Sequence, residues 1–238
     1  MIDIKKRFEM QIREMIEACH RLGELGYVTS LGGNISYRVE DNVILITPTK
    51  TPKRTMQFED ICAVDSDGNT IYAPEGKKPT GETPLHTRIM KRRPDVSAVV
   101  HAHPPVLTGY AIAGNDILSK PFLPEPVLEV GPLLLVPYAE PVSNELADMF
   151  EPYIDNSNAF LMVNHGALIC GKSVFEAVEQ LQMMECMAYS VLVSLLLGNA
   201  QPLSEAAMKG IDNVIAAHSL QPAGGTGKFQ SVGQLFKR

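Results

Sequence analysis

The stretch Val96-Ser97-Ala98-Val99-Val100-His101-Ala102-His103-Pro104-Pro105 is the part of the sequence that decides the fold. Its first half is apolar and rich in β-branched residues, which predicts a strand, and the two prolines end that strand. Side chains on a strand alternate between faces, so His101 and His103 point the same way. Two imidazoles on one face can bind a single metal ion, and the stretch is therefore interpreted as half of a metal site.

Periodic patterns on both sides of this stretch predict a mixed α/β chain. Helices are predicted at residues 3–25, 84–93, 106–113, 144–154, 174–197 and 205–218. Strands are predicted at residues 35–38, 43–47, 61–64, 70–72, 133–138, 160–163 and 167–170. Thr83 is expected to cap the second helix, and Ser173 with Glu176 is expected to form a capping box. Short antiparallel strands with helices before, between and after them predict a three-layer α/β/α fold with a central, mainly antiparallel sheet.

Length and charge limit the classes of function. A chain of 238 residues without a linker-like segment predicts one domain over residues 1–238, with a short C-terminal tail from about residue 219. The net charge of -6 argues against nucleic-acid binding, and Lys91-Arg92-Arg93 is interpreted as a solvated helix end. The first thirty residues are charged throughout, and the longest apolar run, residues 191–197, is too short to span a bilayer. A cytoplasmic protein without membrane partners is expected.

The second half of the metal site is predicted from Glu82 and from His165 in Asn164-His165-Gly166. Three imidazoles and a carboxylate, from His101, His103, His165 and Glu82, are a common ligand set for a divalent transition metal. Zinc is expected from ligand softness and abundance, while manganese, cobalt and iron also suit these ligands. Such an ion polarises a carbonyl group and stabilises the enediolate that forms when an adjacent bond breaks. A carboxylate that leaves the metal can then carry the proton.

Three turns offer backbone N–H groups to an anion: Gly32-Gly33-Asn34, Thr47-Pro48-Thr49-Lys50 and Pro79-Thr80-Gly81. Taken singly, each is more often merely a turn. Lys50 is a candidate point charge for an anionic substrate. His86 lies one helical turn from Glu82, where it is expected to support that carboxylate or the fold rather than bind metal.

Five motifs in order resemble the class II aldolase/adducin family. They are Gly33-Asn34-Ile35-Ser36, Ile46-Thr47-Pro48-Thr49, Pro79-Thr80-Gly81-Glu82, His101-Ala102-His103-Pro104 and Asn164-His165-Gly166. The motifs are individually loose but jointly specific, and the resemblance covers about residues 5 to 200.

The resemblance implies a homotetramer with fourfold symmetry whose active sites lie between neighbouring subunits. It also implies that His101, His103 and His165 are the metal-binding histidines. Glu82 matches the carboxylate that ligates the resting metal in the aldolases and then serves as the catalytic acid/base.

The resemblance implies a phosphate site as well, with two departures. Asn34, Thr49 and Thr80 match positions that contact phosphate in the sugar-phosphate enzymes of the family. The family commonly has Ser-Ser before the carboxylate, whereas this chain has Thr80-Gly81, so one hydroxyl contact is missing. Lys50 stands where glycine is frequent, and it would add an anion contact or narrow the pocket.

The residue that protonates the leaving aldehyde in the aldolases is a tyrosine of the neighbouring subunit. Tyr110 and Tyr138 are the nearest candidates here, and Glu125 is expected near the same region and could face the neighbour's metal instead.

The function implied by the resemblance is a metal-dependent lyase that cleaves a small ketose phosphate, of the fuculose or ribulose type, by a retro-aldol reaction. A decarboxylase or epimerase of a related sugar-acid phosphate is the alternative. Family epimerases have aspartate where this chain has Glu82, which favours aldol cleavage. A noncatalytic adducin-like module is a further alternative, although such a module needs no metal site.

Overall fold

One mixed sheet is the centre of the computed structural model, which describes residues 4–220, 222–224, 229 and 231–236. Its strands are β1 Asn34–Glu40, β2 Val43–Ile46, β3 Cys62–Val64, β4 Thr70–Tyr72, β5 Ala98–Ala102, β6 Leu133–Val136, β7 Ala159–Met162 and β8 Gly166–Gly171. Their order is β4-β3-β2-β1-β5-β8-β7-β6. All neighbours pair antiparallel except β6 and β7, which are parallel. The predicted mainly antiparallel sheet is confirmed.

Helices cover both faces of this sheet. They are α1 Ile4–Arg7, α2 Glu9–Glu24, α3 Thr83–Arg92, α4 Pro105–Ala113, α5 Pro124–Glu129, α6 Asn144–Met149, α7 Val174–Leu196, α8 Glu205–Ala217 and α9 Val232–Leu235. On one face α2, α4 and α7 bury residues such as Leu107 and Leu181. On the other face α3 and α6 bury residues such as Ile89 and Leu146. The fold is therefore the predicted three-layer α/β/α arrangement.

Strand β5 shows how alternation builds the two layers. Val100 and Ala102 belong to the core on the α7 side, whereas Val99 belongs to the core on the α3 side. His101 shares the parity of Val99, and its imidazole therefore lies on the α3 side of the sheet. Because α3 packs on this side of the sheet, Glu82 at its start lies close to His101 at the end of β5.

Several predicted helix boundaries were wrong. The single helix expected over residues 3–25 is interrupted at Phe8, whose backbone leaves the helical region at φ -117° and ψ 33°. The helix expected over residues 144–154 ends at Met149, and a separate 3-10 turn follows at Ile154–Asn156. Helix α5 was not predicted, because its Pro-rich six residues are too short to show periodicity.

Two predicted caps differ in detail from the structure. Glu82 rather than Thr83 is the N-cap of α3, and its side chain makes no capping hydrogen bond. Ser173 does cap α7, since its hydroxyl accepts from the N–H of Glu176. The carboxylate of Glu176 accepts from Lys172, one residue earlier than a capping box requires.

The basic cluster at the end of α3 is only partly solvated, as Lys91 and Arg92 are exposed but the side chain of Arg93 is 1% exposed. The interpretation of Arg93 as a solvated helix end was wrong. Its guanidinium donates to the carbonyl oxygens of Ile154 and Ser157 and pairs with Asp95, which satisfies its hydrogen-bonding groups inside the protein.

The C-terminal segment includes more structure than a tail. Helix α9 packs with α5 and α8 through a small cluster that includes Val127, Met208 and Val232. The rest of the predicted tail falls partly outside the described residues, at 221, 225–228, 230 and 237–238. Within the described part of the chain, no helix combines the length and apolar character needed to cross a bilayer.

Candidate metal centre

The three histidines meet at one end of the sheet because β5 lies between β1 and β8. His101 is opposite Asn34 on β1 and Leu168 on β8, and the backbone N–H of His103 donates to the carbonyl of Tyr27 at 2.7 Å. His165 immediately precedes β8.

Gly166 permits this close approach of β8 to the histidine pair. A Cβ atom there would lie 2.6 Å from the carbonyl oxygen of Ala102 and 2.6 Å from the imidazole of His103. A side chain at position 166 would therefore push β8, and with it His165, away from the pair.

The distances between the histidines suit a common ion. One ligand atom from each of His101, His103 and His165 lies within 4.8 Å of the other two. Glu82 contacts two of them, with Oε1 at 3.4 Å from Nε2 of His165 and Oε2 at 3.7 Å from Nε2 of His101. A tetrahedral zinc site with bonds of roughly 2.1 Å has edges of about 3.4 Å between ligand atoms. The Glu82 contacts are close to that edge, whereas the histidine ligand atoms lie up to 4.8 Å apart.

The imidazoles present the right atoms in the right charge state. Nδ1 of His101 is 2.9 Å from the carbonyl oxygen of Ala167, so it carries the proton and leaves the lone pair of Nε2 free. Burial lowers the pKa of His103 to about 3 and that of His165 to about 4, with a further contribution from the charge of His101. Both rings are therefore neutral near pH 7, as metal ligands must be.

A chain of buried hydrogen bonds holds Glu82 from behind. The amide of Asn34 donates to Oε2 of Glu82 at 2.8 Å, and Oδ1 of Asn34 accepts from Nε2 of His86. The other ring nitrogen of His86 is 2.6 Å from the hydroxyl of Ser36. Since Oδ1 can only accept, the His86 proton is on Nε2 and Ser36 donates to Nδ1. His86 thus lies behind Asn34, in agreement with the expected supporting role.

The charge state of Glu82 follows from competing effects. Burial by itself raises its pKa, but His101, the hydrogen bond from Asn34 and His165 together lower it below the ordinary value. The carboxylate is consequently ionised at neutral pH and available to a cation or a proton.

A cavity of about 170 Å³ opens onto these side chains. The predicted anion-binding residues Asn34, Thr49, Thr80 and Gly81 line it together with the four candidate metal ligands. Lys50 is exposed and is not among the lining residues. The sequence analysis missed Lys53, a buried lysine that does line the cavity, because a single lysine in a short 3-10 turn has no periodic pattern that indicates burial.

Gly81, which stands where the family commonly has serine, packs against the side chain of Val142. A Cβ atom at position 81 would overlap the side chain of Val142, which occupies the space of the missing hydroxyl. Val142 has φ 64°, a left-handed conformation that is strained for a β-branched residue. The pair therefore makes this wall of the cavity apolar.

The candidates for aldehyde protonation do not reach this cavity within the described chain. The hydroxyl of Tyr110 is buried without a hydrogen-bond partner among the described residues, and Tyr138 is exposed. Glu125 is exposed in the first turn of α5. All three are absent from the lining residues, and a role for any of them in a neighbouring subunit stays a prediction.

Sequence comparison identifies the family of this site. The model of the Class II Aldolase and Adducin N-terminal domain matches residues 13–192. This chain belongs to that family. The match covers all eight strands of the sheet and all of the candidate metal ligands, and family members of the aldolase type depend on a metal.

Relatives with two different reactions are similarly close. The chain is 30% identical to a 3-oxo-tetronate 4-phosphate decarboxylase of Haemophilus influenzae over 72% of this chain and 81% of that protein. It is 33% identical to an L-fuculose phosphate aldolase of Methanococcus maripaludis over 74% of this chain and 93% of that protein.

Solved structures share the fold. A Klebsiella pneumoniae protein described as an aldolase, epimerase or decarboxylase superposes with a TM-score of 0.77 and 28% identity, covering 85% of this chain and 98% of its own. An L-fuculose 1-phosphate aldolase superposes with a TM-score of 0.78 at 22% identity, covering 87% of this chain and 96% of its own.

Proposed function

We propose that this protein is a metal-dependent lyase that cleaves a small ketose phosphate, of the fuculose or ribulose type, by a retro-aldol reaction. The observation that carries the proposal is the convergence of three imidazoles on one ionised carboxylate inside a cavity. Glu82 lies at 3.4 Å and 3.7 Å from two of those imidazoles, which is the spacing of ligands around one ion.

His101, His103, His165 and Glu82 would hold the metal. Zinc is the expected ion for this ligand set, and manganese, cobalt or iron(II) also suit it. When bound, a divalent ion supplies Lewis acidity that polarises the substrate carbonyl and stabilises an enediolate.

Glu82 is proposed to move a proton at the reacting carbon. In cleavage the substrate hydroxyl loses its proton to a base, and the adjacent carbon–carbon bond breaks to release an aldehyde. The electron pair of that bond passes into the enediolate, whose carbon then takes up one proton. Glu82 is the only carboxylate lining the cavity in the described chain, and it is assigned delivery of that proton.

The phosphate end of the substrate is assigned to Asn34, Thr49, Lys50, Thr80 and Gly81. Asn34, Thr49, Thr80 and Gly81 line the cavity, and Lys50 follows Thr49 directly with a backbone φ of 51°. Because Val142 fills the space of a second hydroxyl beside Gly81, this site has fewer donors than a Ser-Ser loop would supply.

Decarboxylation is the second candidate reaction, supported by the similarity to the Haemophilus influenzae decarboxylase. A 3-oxo-acid phosphate would lose carbon dioxide instead of an aldehyde and leave the same type of enediolate. Epimerisation of a related sugar-acid phosphate is a weaker candidate, since the family's epimerases have aspartate at the position of Glu82.

Product analysis tests the assignment. The protein is purified without chelator, supplied with zinc or manganese, and assayed against ketose 1-phosphates and 3-oxo-acid phosphates. An aldehyde product supports aldol cleavage, carbon dioxide supports decarboxylation, and neither product from any substrate contradicts both.

Metal analysis of His103→Ala tests the centre itself. We expect wild-type protein to hold stoichiometric metal and this variant to lose most of its metal and activity, because one of three imidazole ligands is removed. Wild-type protein that binds no metal would favour a noncatalytic, adducin-like role.

The assembly, domain organisation and location of the protein are proposed from the resemblance. We expect one domain, a homotetramer of fourfold symmetry and a cytoplasmic location, with no nucleic-acid or membrane partner. Leu196 and Leu197 at the end of α7 are 79% and 84% exposed, which is consistent with burial against another subunit. Light scattering of purified protein measures the subunit number, and a monomer at working concentration would contradict the tetramer.

A further inference from the structure

Lys53 is a buried cation without a counter-charge in the described part of the chain. It begins the 3-10 turn Lys53–Thr55, and its side chain is almost inaccessible, at 2% relative exposure. Its ammonium donates to the carbonyl oxygen of Thr51 at 3.1 Å. No carboxylate of the described residues lies within 4 Å of it, in contrast to Lys77, which pairs with Asp60 at 2.9 Å.

The surroundings of Lys53 do not neutralise it. The thiol of Cys19 on α2 interacts with Lys53, but burial raises its pKa to about 12, so the sulfur carries no charge at neutral pH. Burial lowers the pKa of Lys53 itself, which shows that its ammonium has lost water without gaining an equivalent partner. Proteins seldom retain such an arrangement for stability, because an unpaired buried charge is unfavourable.

The position of Lys53 relates this unpaired charge to the candidate centre. Lys53 lines the same cavity as His103 and Glu82, and its positive charge contributes to lowering the pKa of His103. Thr49 and the amide of Asn34 lie on the lining of that cavity as well. Lys50, only three residues earlier, is exposed and outside the lining.

We propose that Lys53 is a substrate-binding residue whose ammonium pairs with an oxyanion of the substrate, either a phosphate monoester or a carboxylate, inside the metal-site cavity. This inference rests on the proposed function, because it names the group that holds the anionic part of that substrate. An arriving oxyanion supplies the missing counter-charge at a buried side chain, where a charge-assisted hydrogen bond is strong. Discrimination in favour of anionic substrates follows from the same contact.

The structural alternative is that Lys53 serves only to tie down Thr51. That role predicts a loss of stability when the ammonium is removed, since the carbonyl of Thr51 loses its donor. The binding role predicts the opposite, because methionine fills the same space without a charge that must be kept dry. If Lys53 is only structural, its loss lowers stability and leaves anion binding unchanged. If Lys53 binds substrate, its loss weakens anion binding and does not lower stability.

Anion binding to Lys53→Met and Lys53→Gln tests the inference. The matched control is Lys77→Met, since Lys77 also donates to Thr51 and is also a cation, but does not line the cavity. Binding of inorganic phosphate and of glycolate is measured by calorimetry on the full chain, with and without zinc. Unfolding temperatures are measured on the same samples.

We expect both Lys53 variants to bind at least one of the anions about tenfold or more weakly than wild type, as for loss of a hydrogen bond to a charged group. Lys77→Met should stay within about twofold of wild type, because a partly exposed ion pair contributes little. The unfolding temperature of Lys53→Met should equal or exceed that of wild type. Loss for phosphate alone assigns Lys53 to the phosphate end of the substrate, and loss for glycolate alone assigns it to a carboxylate.

Three results would overturn the inference. They are unchanged binding in both Lys53 variants, equal loss in Lys77→Met, and no saturable binding of either anion to wild type. A lower unfolding temperature with unchanged anion binding in the folded variants would establish the structural alternative instead. Failure of the proposed lyase function is separate, since a protein that binds anions through Lys53 but cleaves no substrate would retain this inference and lose only the reaction.

Discussion

The two ends of α3 carry buried polar groups of opposite character. At the N-terminal end, the side chain of Glu82 makes no capping hydrogen bond and instead faces His101 and His165. At the C-terminal end, the guanidinium of Arg38 donates to the carbonyl oxygens of Met90 at 2.9 Å and Pro94 at 2.6 Å. The buried Arg93 donates beside it to carbonyl and carboxylate oxygens of the surrounding loops.

The difference between the ends lies in how completely the polar groups are satisfied. At the C-terminal end Arg38 donates to the carbonyl of Met90 in the last turn of α3, and Arg93 donates to the loop at residues 154–158, which makes a rigid anchor. At the N-terminal end the Nδ1 atom of His165 is buried without a hydrogen-bond partner in the described residues, and Lys53 nearby lacks a counter-ion there. Substitutions at the N-terminal end should therefore alter function, whereas substitutions at the C-terminal end should alter stability.

The largest expected effect is on turnover in Glu82→Gln. The amide keeps the shape of the side chain but cannot carry the proton, so kcat should fall by about 10² to 10⁴-fold. The three histidines remain, so appreciable metal should stay bound, as measured by elemental analysis beside steady-state kinetics. Normal turnover in this variant would refute the role assigned to Glu82.

The next effect is on stability in Arg93→Met. Removal of a fully buried guanidinium leaves the carbonyls of Ile154 and Ser157 and the carboxylate of Asp95 without their donor. We expect a loss of about 3 kcal/mol in the free energy of unfolding, measured by urea titration, with kcat per folded molecule unchanged.

Arg92→Met is the matched control for Arg93→Met. Arg92 is the preceding residue and an exposed partner of Asp155, so its loss should leave the urea midpoint nearly unchanged. Equal destabilisation by the two variants would mean that burial does not distinguish these arginines.

A smaller effect is expected in the pH dependence of stability through His86. Burial lowers the pKa of His86 from 6.5 to about 4, partly opposed by the charge of Glu82. Between those values the unfolded chain binds a proton that the native state does not, so the free energy of unfolding falls as pH is lowered from about 6.5 toward about 4. One such proton contributes at most about 1.4 kcal/mol per pH unit.

His86→Gln should flatten that dependence, because glutamine does not titrate. Unfolding of metal-free wild type and variant is compared at several pH values, so that the titration of the other histidines is common to both. Parallel pH profiles for the two proteins would contradict this, because they would mean that the pKa of His86 does not change on folding.

The smallest effect is expected in Arg38→Met. Arg38 is half-buried, so water can replace its hydrogen bonds to the carbonyls of Met90 and Pro94, and the loss should be about 1 kcal/mol. Urea unfolding measures this difference, and kcat should not change. A loss as large as that of Arg93→Met would show that Arg38 and Arg93 stabilise the end of α3 as one unit.

The chemistry of the candidate site is largely predictable from short segments of sequence. The β-branched run before His101 and the prolines after His103 make a strand end, and alternation alone places both rings on one side. Glu82 directly precedes the predicted cap Thr83 of the helix at residues 84–93, and it lies at the start of α3. Local rules suffice here because strand alternation and helix starts are decided by residues that are neighbours in sequence.

Other features depend on distant parts of the chain. Arg93 is indistinguishable in sequence from Lys91 and Arg92, yet it is buried because the loop at residues 154–158 closes over it. The hydrogen-bond chain from Glu82 through Asn34 to His86 joins β1 to α3 across about fifty positions. The spacing of residues within one segment does not predict contacts with distant segments.

The sequence by itself determined the mainly antiparallel α/β fold, the family and the residue types of the metal site, because periodicity and ordered motifs are local properties. Only the tertiary structure decided which charges are buried, that Lys53 rather than Lys50 lines the cavity, and that Val142 fills the space beside Gly81. Burial and close contact depend on segments far apart in the chain, and folding alone brings those segments together.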